Sequence, residues 1–307
     1  MMLNYDLTLK KKYFILLMIL KCICIIFVLI ILVKITTNQN EFFSDKKPKI
    51  VIFFHICSLR NWKQIFLEQI NLMKKSGLYN EAKSINLGFL GEKKEILPFL
   101  NNKIKLVYHS TNLKEYEKPT INKLLEFSKK SKESYNVLYL HSKGVSKKEH
   151  MSECIKYWRL MMSYYLVTNY KKCLNHLKKY DTVGCNLSMG FFNEKRDKYP
   201  RWWNCRFNNE EHFIHYSGNY WWSKTDFLKK NKFITEDENK IGCGKDWYLL
   251  TERWLLLNLP KVKVLEIKST PETHLYYKKY GFEYFKKKKK LFTIDRNLNK
   301  IFINEYF

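Results

Sequence analysis

Leu138-Tyr-Leu-His-Ser-Lys-Gly144 runs from an apolar stretch straight into a polar turn, and that junction decides the fold class. Residues 136–141 have the length and composition of a strand, with Ser142, Lys143 and Gly144 following His141. In open α/β sheets the ligand crevice lies at the carboxyl ends of the strands. A cation at such a point can neutralise a diphosphate, and a glycine there lets the backbone approach a ligand closely. A strand that simply ends in a polar turn would read the same way. His141 alone would be an ordinary satisfied histidine.

Working outward, the flanking chain alternates between strand and helix patterns. Residues 49–55 form a short Ile/Val/Phe run suited to a buried first strand. Residues 61–76 place Trp62, Phe66, Ile70 and Met73 on one helical face, and Gly77 supplies a stop. Strand patterns follow at 84–90 and 103–109, and a helix at 119–130 begins near its proline. Downstream, 153–178 reads as one long helix, 182–187 as a strand and 190–211 as an irregular Trp-rich loop. A helix starts at 221–230, a Gly-containing loop covers 237–244, a helix covers 246–257, and a last strand covers 261–267. This alternation predicts an α/β fold with a mostly parallel sheet covered by helices. No G-x-G-x-x-G follows the first strand and no P-loop motif is present, which disfavours dehydrogenases and P-loop enzymes.

A second informative stretch is His215-Tyr-Ser-Gly-Asn-Tyr-Trp-Trp222. A Ser-Gly-Asn turn signal offers N–H groups, a hydroxyl and an amide beside flat aromatic walls. That surface suits a sugar; a core hairpin with buried rings is the competing reading. Trp202, Trp203, Trp221 and Trp222 are the rings that could stack on a sugar or base, and at least half of them belong in a core.

The net charge is +27, yet Lys outnumbers Arg 49 to 7 and Asn, Ile, Phe and Tyr are also abundant. A/T-rich codons explain such a set, and no Arg-rich arm or zinc-finger spacing is present, so no nucleic-acid partner is expected. The run 286–290 is five lysines, a solvated face or a contact for anionic lipid. Residues 14–33 are almost wholly apolar and follow Lys10-Lys11-Lys12, with Lys21 able to snorkel. They predict one uncleaved transmembrane anchor with the large domain beyond it. The eight cysteines include no C-x-x-C pair, and Asn186-Leu-Ser188 is the single glycosylation sequon.

The segments Tyr139–Gly144, Tyr180–Gly184, His215–Trp222 and Thr251-Glu-Arg-Trp254 together resemble glycosyltransferase-like proteins of bacterial surface-polysaccharide loci and large DNA viruses. The resemblance covers roughly residues 48–275 and is most specific at Ser217–Trp222. It implies a GT-A-like fold, with a nucleotide-sugar over the carboxyl ends of the first strands and the acceptor half following. Most such enzymes hold Mn2+ or Mg2+ on the diphosphate with an Asp-x-Asp motif. The equivalent position here reads His141-Ser142-Lys143, which puts metal dependence in doubt.

The resulting expectation is a membrane-anchored transferase moving a sugar from a nucleotide-sugar to a glycan or other hydroxyl acceptor. Its layout is a tail (1–12), an anchor (13–35), a linker (36–47), the GT-A-like domain (48–275) and a basic aromatic tail (276–307). His141, Ser142, Lys143 and Gly144 are expected at the donor diphosphate, and His215, Ser217, Gly218, Asn219, Trp221 and Trp222 at the acceptor. Glu252 and Asp246 are the candidate proton acceptors; six apart, they fall about 120° from one another around a helix, so only one faces the site. Glu252 lies in the resembling segment and is preferred. The competing functions are a non-catalytic nucleotide-sugar-binding protein of the same fold and a basic nucleic-acid-binding protein.

Overall fold

The computed structural model describes residues 48–147, 151–191, 212–234, 249–256, 262–270, 279, 290–294 and 300–306, together with scattered helical positions between 14 and 34. The chain divides into two units, Met1–Lys47 and Pro48–Phe307. In the first, the longest unbroken described helical run is residues 23–31. Among the described residues no helix is long and apolar enough to cross a membrane. The anchor expected over 14–33, and the bilayer partner that came with it, are corrected accordingly.

The second unit is a mixed α/β, Rossmann-like fold around a nine-stranded sheet. Its first strand, β1 (Lys49–Cys57), is buried along almost its whole length, because both its faces are covered. Ile50, Ile52, Phe54 and Ile56 pack beneath helix α1 (Trp62–Ser76), whereas Val51 and Phe53 meet helix α2 (Lys118–Lys130) on the other face. Gly77 ends α1 in the left-handed conformation, at φ 84°, which glycine adopts without a Cβ penalty. Strands β2 (Ala82–Leu90) and β3 (Ile104–Ser110) run parallel to β1 on one side, and β4 (Tyr135–His141) runs parallel to it on the other.

Beyond β4 the structure departs from the sequence pattern. Residues 153–178 are not one α-helix: α3 (Ser152–Ser163) passes through a π-helical turn (Tyr164–Thr168) into α4 (Tyr170–His176). β5 (Thr182–Cys185) stops at Asn186, which has φ 53°, and the chain turns into β6 (Leu187–Phe191). β6 pairs with β7 (His212–Tyr216) in a separate two-stranded sheet. Trp221 and Trp222 do not start a helix. They open β8 (Trp221–Lys224), which lies antiparallel between β4 and β5 inside the main sheet.

A short helix, α5 (Leu249–Arg253), precedes β9 (Val264–Lys268), which runs parallel to β5. β10 (Lys290–Ile294) and β11 (Lys300–Tyr306) then extend the sheet antiparallel, so strands occupy part of the stretch expected as a tail. Asn186 is 2% exposed, and a glycan cannot be built on a side chain enclosed to that degree. Among the described cysteines all five are free thiols, with Cys173 and Cys185 buried.

Candidate functional site

The carboxyl edge of the parallel strands gathers sequence segments that are far apart along the chain. His55 and His141 are register partners at the ends of β1 and β4. Because β8 runs the opposite way, the turn that precedes it arrives at this same edge. That turn carries Ser217, Gly218 and Asn219.

Its centre is Glu117, just before α2 and 8% exposed. The Tyr139 hydroxyl and Asn219 Nδ2 both donate to Glu117 Oε2, each at 2.7 Å. Glu117 Oε1 lies 3.3 Å from His141 Nδ1, and His141 Nε2 donates to the Gly218 carbonyl at 2.9 Å. Asn219 Nδ2 also reaches the Thr251 carbonyl at 3.3 Å, and its Oδ1 accepts from Trp221 Nε1 at 2.8 Å. The segments at 139–144 and 215–222 are thus tied together through the Glu117 carboxyl, and the Asn219 amide extends the tie to Thr251. Burial raises the Glu117 pKa. Burial, followed by the charge of Lys143, pushes the His141 imidazole down to about 3. Neither Glu117 nor its neighbour His55, which bonds Thr120 Oγ1 at 2.8 Å, stands out in the sequence. The only available signal is the position of Glu117 immediately before the helix start at Lys118-Pro119, where carboxylates are common.

Glu252 sits on α5 with its side chain 27% exposed, and Nε2 of His215, on β7, is 4.0 Å from its Oε2. Burial opposes the ionisation of Glu252, but the surrounding basic groups, Lys143 foremost, outweigh it and hold the carboxyl below the usual range. Its chain neighbours Thr251, Arg253 and Trp254 are buried at 2%, 7% and 1%, so Glu252 is the half-open side chain among residues 251–254.

Most of the expected contact residues are enclosed. Ser142 is buried, and its Oγ accepts from the Cys57 N–H at 3.1 Å. Lys143 is buried with its ammonium 4.1 Å above the Trp158 ring. Ser217 and Asn219 are buried as well. Trp221 stacks on Tyr139 at 5.0 Å, and Trp222 donates from Nε1 to the Leu166 carbonyl at 2.8 Å. Both tryptophans are core residues and offer no free face, which corrects their reading as stacking walls. Gly144 and Gly218 take φ of 103° and 93°; a Cβ on Gly218 would stand 2.6 Å from Met162 Sδ. Asp246, Trp202 and Trp203 lie outside the described residues.

Beside this cluster, where the loops after β1 and β4 meet α1 and α3, is a cleft of about 610 Å3. Arg60, Asn61, Glu68, Gly144, Lys147 and Lys156 line it, a size and polarity suited to a small charged ligand. The strand end does not fit a divalent cation, since Lys143 is itself cationic and both His141 nitrogens are engaged. Among the described residues no group of three His, Cys, Asp or Glu could hold one.

No curated protein matches the chain. One similar solved structure is 4-diphosphocytidyl-2C-methyl-D-erythritolsynthase from Anaerococcus prevotii DSM 20548, at 14% identity and a TM-score of 0.33, covering 77% of this chain and 95% of that one. A likeness at that TM-score supports no conclusion about chemistry. Residues 53–232, more than half of the 307, match the family described as "Domain of unknown function (DUF8361)", and the chain belongs to that family.

Proposed function

We propose that the chain is a glycosyltransferase that moves a sugar from a nucleotide-sugar to a hydroxyl of a glycan acceptor. The observation that carries this reading is Glu252, a half-open carboxylate that the charge of Lys143 favours in its ionised form, 4.0 Å from His215 Nε2 at the carboxyl edge of a parallel sheet. An ionised, reachable carboxylate can take the acceptor hydroxyl's proton while the acceptor oxygen bonds to the anomeric carbon and the diphosphate oxygen leaves. His215 beside it can orient the carboxylate or the acceptor. The departing diphosphate gains negative charge, and Arg60, Lys147 and Lys156 line the adjoining cleft with positive charge. Lys143, buried behind Gly144, adds its field without direct contact. No step requires a metal ion at His141-Ser142-Lys143.

The competing reading is a non-catalytic nucleotide-sugar-binding protein of the same fold; because Ser142 and Lys143 are 3% and 5% exposed, either reading leaves direct contact with the diphosphate to the cleft residues Arg60, Lys147 and Lys156. Thermal shift of the full chain against a panel of nucleotide-sugars, with and without EDTA, paired with product detection on glycan acceptors, decides between them. Donor binding that survives EDTA together with transfer supports the transferase; binding without transfer supports the alternative; no binding to any nucleotide-sugar removes both.

A further inference from the structure

A groove runs between α2 and the strands beneath it, on the opposite face of the sheet from α1, α3 and the charged cleft. Gly88 sets one limit. A Cβ there would stand 1.8 Å from Thr120 Oγ1, so α2 rests directly on β2 at that point. Two residues earlier the helix and the sheet part, and a crevice of about 190 Å3 opens over Phe53, Asn86 and Val107. Its helical wall includes Lys123 and Glu126. The same two residues line a second cavity of about 360 Å3, which lies between α2 and the chain after β3 and reaches Phe233. The two cavities thus form one groove along α2.

The ionic groups of the groove are matched among themselves. Glu126 accepts from Lys123 at 2.8 Å and from Lys130 at 2.7 Å. Glu115 accepts from the Tyr108 hydroxyl at 2.8 Å and from Ser110 Oγ at 3.0 Å. Two side chains stand apart. Asn86 lines the crevice and is 6% exposed, yet its Nδ2 is enclosed without a hydrogen-bond partner. An enclosed amide of that kind costs stability unless something else uses it. Phe233 is 40% exposed although its mount is fixed on both sides. The Asn122 side chain donates to the Ile234 carbonyl at 2.8 Å and accepts from the Ile234 N–H at 2.9 Å.

We propose that this groove binds a neutral glycan chain, with one sugar hydrogen-bonded to the Asn86 amide and another laid against the Phe233 ring. An amide carries both donors and an acceptor, which neighbouring sugar hydroxyls match. A half-open aromatic ring matches the C–H face of a pyranose. A phosphate-bearing ligand needs unpaired cations. Here Lys123 and Lys130 are held by Glu126, and the Lys129 ammonium sits 4.8 Å over the Phe233 ring. A peptide partner needs a deeply buried apolar anchor, and one ring at the rim is not a pocket for it. The groove stands or falls independently of the transferase reading, since neither Glu252 nor the charged cleft contributes to it.

The test is calorimetric titration of the full chain as wild type, Asn86→Leu and Phe233→Ala. The probes are neutral hexasaccharides of glucose, galactose, mannose and N-acetylglucosamine. The wild type should bind at least one of them, with affinity changing less than about two-fold between about 0.05 and 0.5 M salt. Each variant should weaken that binding by about 3–10-fold. Without ligand, Asn86→Leu should raise Tm by about 2–4 °C, because it removes the stranded amide. An amide with a purely structural role would lower Tm when removed. Phe233→Ala, at a half-open position, should leave Tm within about 2 °C of wild type. Four results overturn the proposal: no hexasaccharide bound, binding that falls steeply with salt, wild-type affinity in both variants, or an Asn86→Leu protein less stable than the wild type. A wild type that binds glycan through Asn86 and Phe233 but transfers no sugar removes the transferase reading and upholds the groove.

Discussion

Replacing Trp222 separates a core role from a ligand-stacking role, and the structure fixes the size of the effect. The ring is 0% exposed on β8, at the junction of β4 and β5, and its Nε1–H is bonded to the Leu166 carbonyl at 2.8 Å. That carbonyl lies in the π-helical turn. Truncation to alanine empties a fully packed site, at a cost of about 3–5 kcal/mol, and leaves Leu166 O without this donor. Trp222→Phe keeps most of the apolar volume and isolates the lost hydrogen bond, about 1–3 kcal/mol. For a unit the size of Pro48–Phe307, each kcal/mol moves Tm by roughly 2–4 °C. Thermal unfolding of the full chain should therefore show falls of roughly 6–20 °C for alanine and roughly 2–12 °C for phenylalanine. Nucleotide-sugar affinity of Trp222→Phe, measured below its transition, should stay within about two-fold of wild type. An alanine variant with unchanged Tm and lost sugar binding would refute the core assignment.

Two further outcomes follow from backbone geometry. Gly218→Ala forces a Cβ to within 2.6 Å of Met162 Sδ at φ 93°, so Tm should fall by at least about 2–4 °C; an unchanged Tm would show that the turn is not held as described. Asn186 has φ 53°, and neither atom of its buried amide has a hydrogen-bond partner. Asn186→Gly relieves both penalties and should raise Tm by about 2–4 °C, measured by the same unfolding assay, with a loss of stability contradicting it.

The first half of the fold was legible because its parallel strands are buried on both faces and read as unbroken apolar runs, separated by helices with a clear face and stop. β1, α1 and β4 illustrate this: Ile/Val/Phe in continuous sequence, Trp62–Met73 at helical spacing, and Leu138–His141 ending in a turn. The second half was less legible because its elements are short and their geometry depends on distant partners. Trp221-Trp222 has no period of its own, and only the slot between β4 and β5 makes it a strand. The left-handed break at Asn186 looks like any Asn in sequence, and the π turn at Tyr164–Thr168 preserves the helical pattern around it.

At the site, three of the four recognised segments do meet, but through Glu117 and its partner Asn219, and the importance of Glu117 is created by burial and not by any motif. His141, Ser142 and Asn219 have the residue types of ligand-binding groups, yet each spends its polar atoms on the protein. Glu252 and His215 could not be paired from sequence, since nothing along the chain relates β7 to α5.

The most direct test of the account is one comparison of wild type with Glu252→Gln, measuring donor affinity and sugar transfer in the same preparations. A general base contributes about 10²–10⁴-fold to rate and little to donor binding. The account predicts donor affinity within a few-fold of wild type and transfer reduced by roughly that factor. Transfer at the wild-type rate in Glu252→Gln would contradict it.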